Sequence, residues 1–227
     1  MLVPIRSDLT SLASTIERAR LACMPLSPEQ SQERDERQRR EEAAERAATI
    51  AAYRRRAGIP ARVWPALDNP SDTPALLAVR DWLAESLTIL ILTGVPDRGK
   101  TVAACEALDK RGGRFVKAIE LVRRGMFDND FWDAIYAAPI VVVDDLGTEP
   151  LDDKGYALAN VQALIDRAYD GAPRLIVTAN LSLATLRDKY LASDGGRSLG
   201  RVRERGEIVE CVDGEGFRPT ATETRRV

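Results

Sequence analysis

Apolar and polar positions follow two different rhythms along this chain. Up to about residue 57 there is no strand-like run, little glycine and much charge. Within that stretch Leu9, Leu12, Ile16, Ala19 and Cys23 recur at three- and four-residue steps, the single stripe of an amphipathic helix. Ser7 and Asp8 stand where its N-cap belongs. Pro25 and Pro28 interrupt the chain, and from Gln30 to Arg56 a second helical stretch follows, rich in Glu, Arg and Ala and poor in large apolar residues. It reads either as a solvated helix laced with i,i+4 ion pairs or as a docking arm for a partner protein.

After Gly58-Ile59-Pro60 the rhythm changes. A short helix over Pro74 to Glu85 leads into the run Thr88-Ile89-Leu90-Ile91-Leu92, and further short apolar runs fall at Phe115-Val116, Ile140 to Val143, Leu175 to Val177 and Ile208 to Val212. Between them lie helical spacings such as Leu158, Val161 and Ile165. Buried strands alternating with helices indicate an α/β fold, a mainly parallel sheet covered on both faces. The expected division is a helical N-terminal region, residues 1–57, and a core, residues 58–227.

Composition narrows the options. Of the 227 residues 30% are charged, and the signs nearly cancel to a formal −2, so any contact with nucleic acid must come from a local patch. The three cysteines are far apart and there is no histidine, which excludes a zinc site or a disulfide framework and suits a reducing compartment. Leu87 to Leu92 is too short to cross a bilayer, and the N-terminus does not read as a secretory signal. The expectation is a soluble cytoplasmic protein.

Three motifs carry chemistry. Gly94-Val95-Pro96-Asp97-Arg98-Gly99-Lys100-Thr101 fits G-x-x-x-x-G-K-[ST], follows an apolar strand and opens a helix through Val102. Backbone N–H groups of such a loop and the helix dipole hold a β-phosphate, Lys100 reaches the β- and γ-phosphates, and the Thr101 hydroxyl ligates Mg²⁺. Asp97 places an acid near the phosphates, either offset by Arg98 or turned with it to solvent. Ile140-Val141-Val142-Val143-Asp144-Asp145 delivers two carboxylates at the carboxyl edge of the sheet. Asp144 is the candidate for Mg²⁺ and Asp145 for polarising an attacking water. Leu175 to Asn180 is another apolar strand with a polar end, whose Asn180 amide is placed to orient that water.

In this order the motifs resemble the AAA+ ATPases, specifically the branch of DnaC and DnaI helicase loaders and IstB-type transposition helpers. The resemblance covers roughly residues 58–218 and rests on Gly58-Ile59-Pro60-Ala61-Arg62, Gly94 to Thr101, Asp144-Asp145-Leu146-Gly147 and Thr178-Ala179-Asn180. Arg197-Ser198-Leu199-Gly200-Arg201-Val202 and Gly216-Phe217-Arg218 resemble its closing segment. The resemblance implies a P-loop NTPase of AAA+ type with a five-stranded sheet, ATP and Mg²⁺ as ligands, Arg201 as a finger reaching a neighbouring subunit's γ-phosphate, and Arg218 as a second sensor. Arg197, Arg203 and Arg205 remain alternatives for the finger. Only nine residues follow Arg218, so a lidless core completed by adjacent subunits, an ATP-dependent homo-oligomer, is expected.

The partner implied is a replicative helicase gripped by the N-terminal helices, with single-stranded DNA on the core; the zinc-binding cysteines of some loaders are absent. Lys117, Arg123, Arg124 and Phe127 are the candidate DNA contacts, cations among the aromatics Phe131 and Trp132. The helical spacing of Phe131, Trp132, Ile135 and Tyr136 also fits plain packing onto the sheet. Arg54, Arg55, Arg56 and Arg62 form a second basic cluster. The alternatives are a transposition helper on duplex DNA that recruits a transposase, and a nucleotide-binding scaffold with negligible hydrolysis.

Overall fold

Strands and helices follow the apolar runs closely. The computed structural model describes residues 27–124, 128–148, 156–211 and 224–226. The stripe from Leu9 to Cys23, Phe127 and Arg218 lie outside them. The chain divides into two units, Met1–Ala51 and Ala52–Val227.

In the first unit, helix α1 (Pro28–Ala57, which continues into the second) opens on a reciprocal capping box. The Gln30 N–H donates to Ser27 Oγ at 3.2 Å, and the Ser27 N–H donates to Gln30 Oε1 at 3.1 Å. Its surface carries exposed i,i+4 pairs such as Arg37–Glu41 at 2.8 Å, each worth only about 0.3–0.5 kcal/mol. Helix propensity, not burial, forms this segment.

The second unit begins with the last turns of α1. The helix ends at Gly58 (φ 82°), where the Ile59 N–H reaches back to the Arg54 carbonyl at 2.9 Å. A single 3₁₀ turn (Ala61–Val63), α2 (Trp64–Asp68) and α3 (Pro74–Ala84) follow. The α/β alternation then runs β1 (Ile89–Gly94), α4 (Lys100–Arg111), β2 (Arg114–Lys117), α5 (Ala118–Arg124), α6 (Asn129–Tyr136), β3 (Ile140–Leu146), α7 (Tyr156–Tyr169), β4 (Arg174–Ala179), α8 (Leu183–Leu186), α9 (Arg197–Arg205) and β5 (Gly206–Cys211). A three-residue strand, β6 (Thr224–Arg226), completes the sheet.

The sheet order is β2-β3-β4-β1-β5-β6. The first five strands are mutually parallel, and β6 adds an antiparallel edge that the apolar pattern did not announce. Alternation along the strands splits the core in two. Ile89, Ile91, Val141, Val143, Leu175 and Val177 face α5–α9. Leu90, Leu92, Ile140, Val142 and Ile176 face the last turn of α1 and α2–α4. Both faces are covered, which is why these strands read as continuous apolar runs rather than alternating ones. Helix α4 lays Ala103, Ala104 and Ala107 on the sheet, and these small side chains let its N-terminus sit directly over the β1 edge. Among the described residues no helix is long and apolar enough to cross a membrane.

Candidate functional site

The carboxyl ends of β1, β3 and β4 converge on the start of α4. Gly94 closes β1 with φ 111°, and a Cβ there would lie 2.2 Å from the Cys211 carbonyl oxygen. Only glycine permits that approach. The loop is then tied to its neighbours: the Gly94 N–H donates to the Leu181 carbonyl at 3.0 Å and the Val95 N–H to the Cys211 carbonyl at 3.2 Å. Asp97 has φ 59°, the left-handed region that short polar side chains tolerate, and its side chain is exposed. Backbone geometry thus accounts for the acid in the loop.

Lys100 is only 6% exposed. Its ammonium donates to the carbonyls of Gly94 at 3.1 Å and Val95 at 2.5 Å, folding the side chain back across the loop. Burial pushes its pKa down, against the nearby thiol of Cys211 and the carboxylates of Asp145, Asp144 and Asp97. A phosphate in the loop would supply the anion this cation lacks at hydrogen-bond distance.

Asp144 is fully buried, and burial raises its pKa against two opposing hydrogen bonds. Thr178 Oγ1 donates to Asp144 Oδ1 at 2.7 Å, and Thr101 Oγ1 donates to the same oxygen at 2.8 Å. The other oxygen, Oδ2, is buried with no hydrogen-bond partner among the described residues. A shift of register between Val143 and Leu146, with Asp145 at φ 59°, breaks the strand's strict alternation. Asp145 therefore lines the cavity while Asp144 sits beneath it against Thr101.

Thr178 stands in the Thr178-Ala179-Asn180 motif, but the sequence assigned it no role of its own. Its hydroxyl accepts the Asp145 N–H at 3.1 Å while donating to Asp144, and so locks the two acids to one another. The available signal was a hydroxyl residue in an otherwise apolar strand, two positions before Asn180. The Asn180 amide approaches Asp145 Oδ1 at 3.4 Å.

These groups open on a cavity of about 570 Å³, lined by Arg62, the 96–102 loop and helix start, Asp145, Thr178 and Asn180. An adjoining hollow of about 280 Å³ shares Gly99 and Val102 with it and is walled by Pro65, Ala66 and Leu76. The first space is lined largely by charged and polar groups, the second by a mixture of apolar and small polar ones. The donor set also fits Mg²⁺. Among the described residues no three carboxylates, cysteines or histidines cluster, and Mg²⁺ is typically held by one or two protein oxygens together with substrate phosphates. The unpartnered Asp144 Oδ2 and the Thr101 hydroxyl are the oxygens that would hold it.

The structure thus gathers Gly94 to Val102, Asp144, Asp145 and Asn180 in one place. It does not bring Arg201 there. Arg201 is ion-paired with Asp166 of α7 and lies over the Tyr169 ring, and Arg197 reaches the same carboxylate at 3.3 Å. Lys117, opposite Asp144 in the β2–β3 register, and Arg123 are exposed. Arg124 is exposed too, paired with Asp128 at 3.0 Å. Of the aromatics near them, Trp132 is buried and stacked on Tyr136 with ring centroids 5.6 Å apart, so it serves the core rather than a base-stacking surface.

No protein-family model matches the chain, and no curated protein matches it. Among solved structures it is similar to the crystal structure of the DnaC helicase loader, at 24% identity and a TM-score of 0.51, over 66% of this chain and 99% of that one. It is also similar to the crystal structure of DnaI, at 20% identity and a TM-score of 0.47 over 60% of this chain and 82% of that one. A DNA replication initiation factor matches at 16% identity and a TM-score of 0.46, over 63% of this chain and 48% of that one. The first likeness shows the fold, a P-loop fold of AAA+ type.

Proposed function

We propose that this chain is an Mg²⁺-dependent ATPase that loads a replicative helicase, gripping the helicase through its N-terminal helices and engaging single-stranded DNA through an oligomeric core. The observation that carries the ATPase reading is the convergence of Lys100, Thr101, Asp144, Asp145 and Asn180 on one cavity beside a second hollow. The loop N–H groups and Lys100 bind the phosphates. Thr101 and Asp144 hold the metal, which when bound neutralises charge on the phosphate oxygens. Asp145 accepts a proton from the attacking water and Asn180 orients it. Thr178 keeps both acids in register.

The loader reading is supported by the fold shared with a helicase loader, and by a solvated charged helix whose exposed surface suits a protein partner. Residues 1–57 would form that partner-binding region and residues 58–227 the ATPase core. Lys117 stands opposite Asp144 in the β2–β3 register, and Arg123 and Arg124, in the last turn of α5, would extend a DNA contact from there. Arg201 would have to leave Asp166 to act on the nucleotide of an adjacent copy, and Arg203, exposed on the same helix, requires no such exchange.

The test is ATP-dependent binding to matched single-stranded and duplex DNA, with Lys100→Ala as the control, followed by capture of helicase. ATP-dependent preference for the single strand, with helicase binding lost when residues 1–51 are removed, is the expected result. Cooperative preference for duplex would instead identify a transposase-recruiting helper. A steady-state ATPase rate at background, even with DNA and helicase present, would leave a nucleotide-binding scaffold.

A further inference from the structure

Arg62 closes the Gly58 to Arg62 motif and belongs to the second basic cluster, but the motif assigns it no role in the nucleotide site. It stands on the 3₁₀ turn Ala61–Val63, between α1 and α2, and lines the same cavity as Lys100, Asp145 and Asn180. The turn is anchored on both sides. Ile59 and Val63 are 3% and 5% exposed, and the Trp64 indole N–H donates to the Ile59 carbonyl at 3.1 Å. The guanidinium itself is exposed and makes no hydrogen bond or ion pair among the described residues. Its positive charge is felt at Asp144, whose ionised form it favours.

Two carboxylates, Asp97 and Asp145, line the cavity where a polyanion must sit, and Asp144 lies beneath it against Thr101. Against them stand Lys100, held within the loop, and Arg98, half-buried beside it. A further cation on the cavity wall, mounted on a fixed turn outside the loop and with no partner for its donors among the described residues, is the arrangement a phosphate chain requires. We infer that Arg62 is a nucleotide-binding residue of this chain, reaching the phosphate chain from the turn before α2 rather than from the glycine-rich loop. This rests on the nucleotide reading of the site and adds a contact from outside the glycine-rich loop. It also makes the segment that follows α1 part of the site, so that nucleotide binding restrains the base of the N-terminal helix directly.

The test uses the full chain with Mg²⁺ and the fluorescent probes mant-ATP and mant-ADP, comparing wild type, Arg62→Ala, Arg62→Lys and Lys100→Ala by anisotropy at low and high salt. The exposed, unpaired side chain predicts unchanged thermal unfolding without nucleotide in both Arg62 variants. The expected result is roughly tenfold weaker mant-ATP binding in Arg62→Ala, a shallower salt dependence, and partial recovery in Arg62→Lys. Wild-type affinity and salt dependence in Arg62→Ala would overturn the inference while leaving the site intact. Equal losses in Arg62→Ala and Arg62→Lys, with salt dependence unchanged, would also overturn it, because the contact would then be apolar. Absence of probe binding by wild type and Lys100→Ala alike would remove the nucleotide reading and this inference together.

Discussion

Asp144 pays a desolvation penalty at neutral pH, and part of it goes unanswered within the protein. One oxygen takes both threonine hydroxyls, and the other is buried without a partner among the described residues. An acid whose pKa is raised by folding holds its proton in the folded state at pH values where the unfolded chain has lost it. Its contribution to the stability of the ligand-free protein is therefore lost as pH rises from the ordinary value of 3.8 through the raised one. Asp144→Asn removes that loss. Urea unfolding without metal or nucleotide should show the variant gaining on wild type across this window, to about 1–2 kcal/mol at neutral pH. Adding Mg²⁺ and nucleotide should reverse the order, because only the wild type supplies the anionic ligand. Thr178→Val tests the lock between the acids. It keeps shape and burial but leaves the Asp145 N–H and Asp144 each short of a partner, so stability should fall by about 1–3 kcal/mol. ATP turnover should fall roughly 10- to 100-fold with little change in nucleotide affinity, and Thr178→Ser should restore it.

Helix α4 joins two features whose relation is invisible in either motif. Its N-terminus carries Lys100 and Thr101, and near its C-terminus Asp109 makes a two-pronged ion pair with the buried Arg54 of α1, at 3.0 and 2.7 Å. That hydrogen-bonded pair, with Asp68 adding a third contact at 2.7 Å, holds the Arg54 pKa above its ordinary value. The Tyr53 hydroxyl donates to the Leu108 carbonyl at 2.7 Å beside it. Asp109→Ala strands most of a buried charge and should cost about 3 kcal/mol; Arg54→Met, which removes the charge and keeps the bulk, should cost less. Thermal unfolding orders the two, and amide exchange over residues 52–57 should accelerate more in Asp109→Ala. At this scale the sequence was informative wherever one segment decides the outcome. The apolar runs located all five parallel strands to within a few residues, and Pro74 to Glu85 fell one residue from the observed helix end. The start of α1 was placed at Gln30 because the capping box of Ser27 and Gln30 went unread. What could not be read depends on distant partners: the Arg54–Asp109 pair, the pairing of Arg201 with Asp166, and the register shift that turns Asp145 into the cavity.

The order of the strands in the whole molecule was equally beyond the apolar pattern, since five parallel strands can be arranged in many ways. The observed order sets β1 between β4 and β5, so the strand that carries the phosphate loop does not border β2, the strand that follows it in sequence. Ile89 to Leu92 pair with Leu175 to Thr178 on one side and with Gly206 to Val209 on the other. A ribosome makes these pieces in the opposite order of need. The loop emerges early, yet its walls at Thr178, Leu181 and Cys211 come much later. Until then it is a glycine-rich segment beside an unpaired apolar strand, which is a liability for aggregation in a slow-folding parallel sheet. A chain stopped at Gly171 should therefore contain the entire phosphate motif and still retain no measurable nucleotide on an ATP-agarose column, while the full chain is held and released by free ATP. In a growing chain, the first nucleotide captured would report that synthesis has passed Cys211.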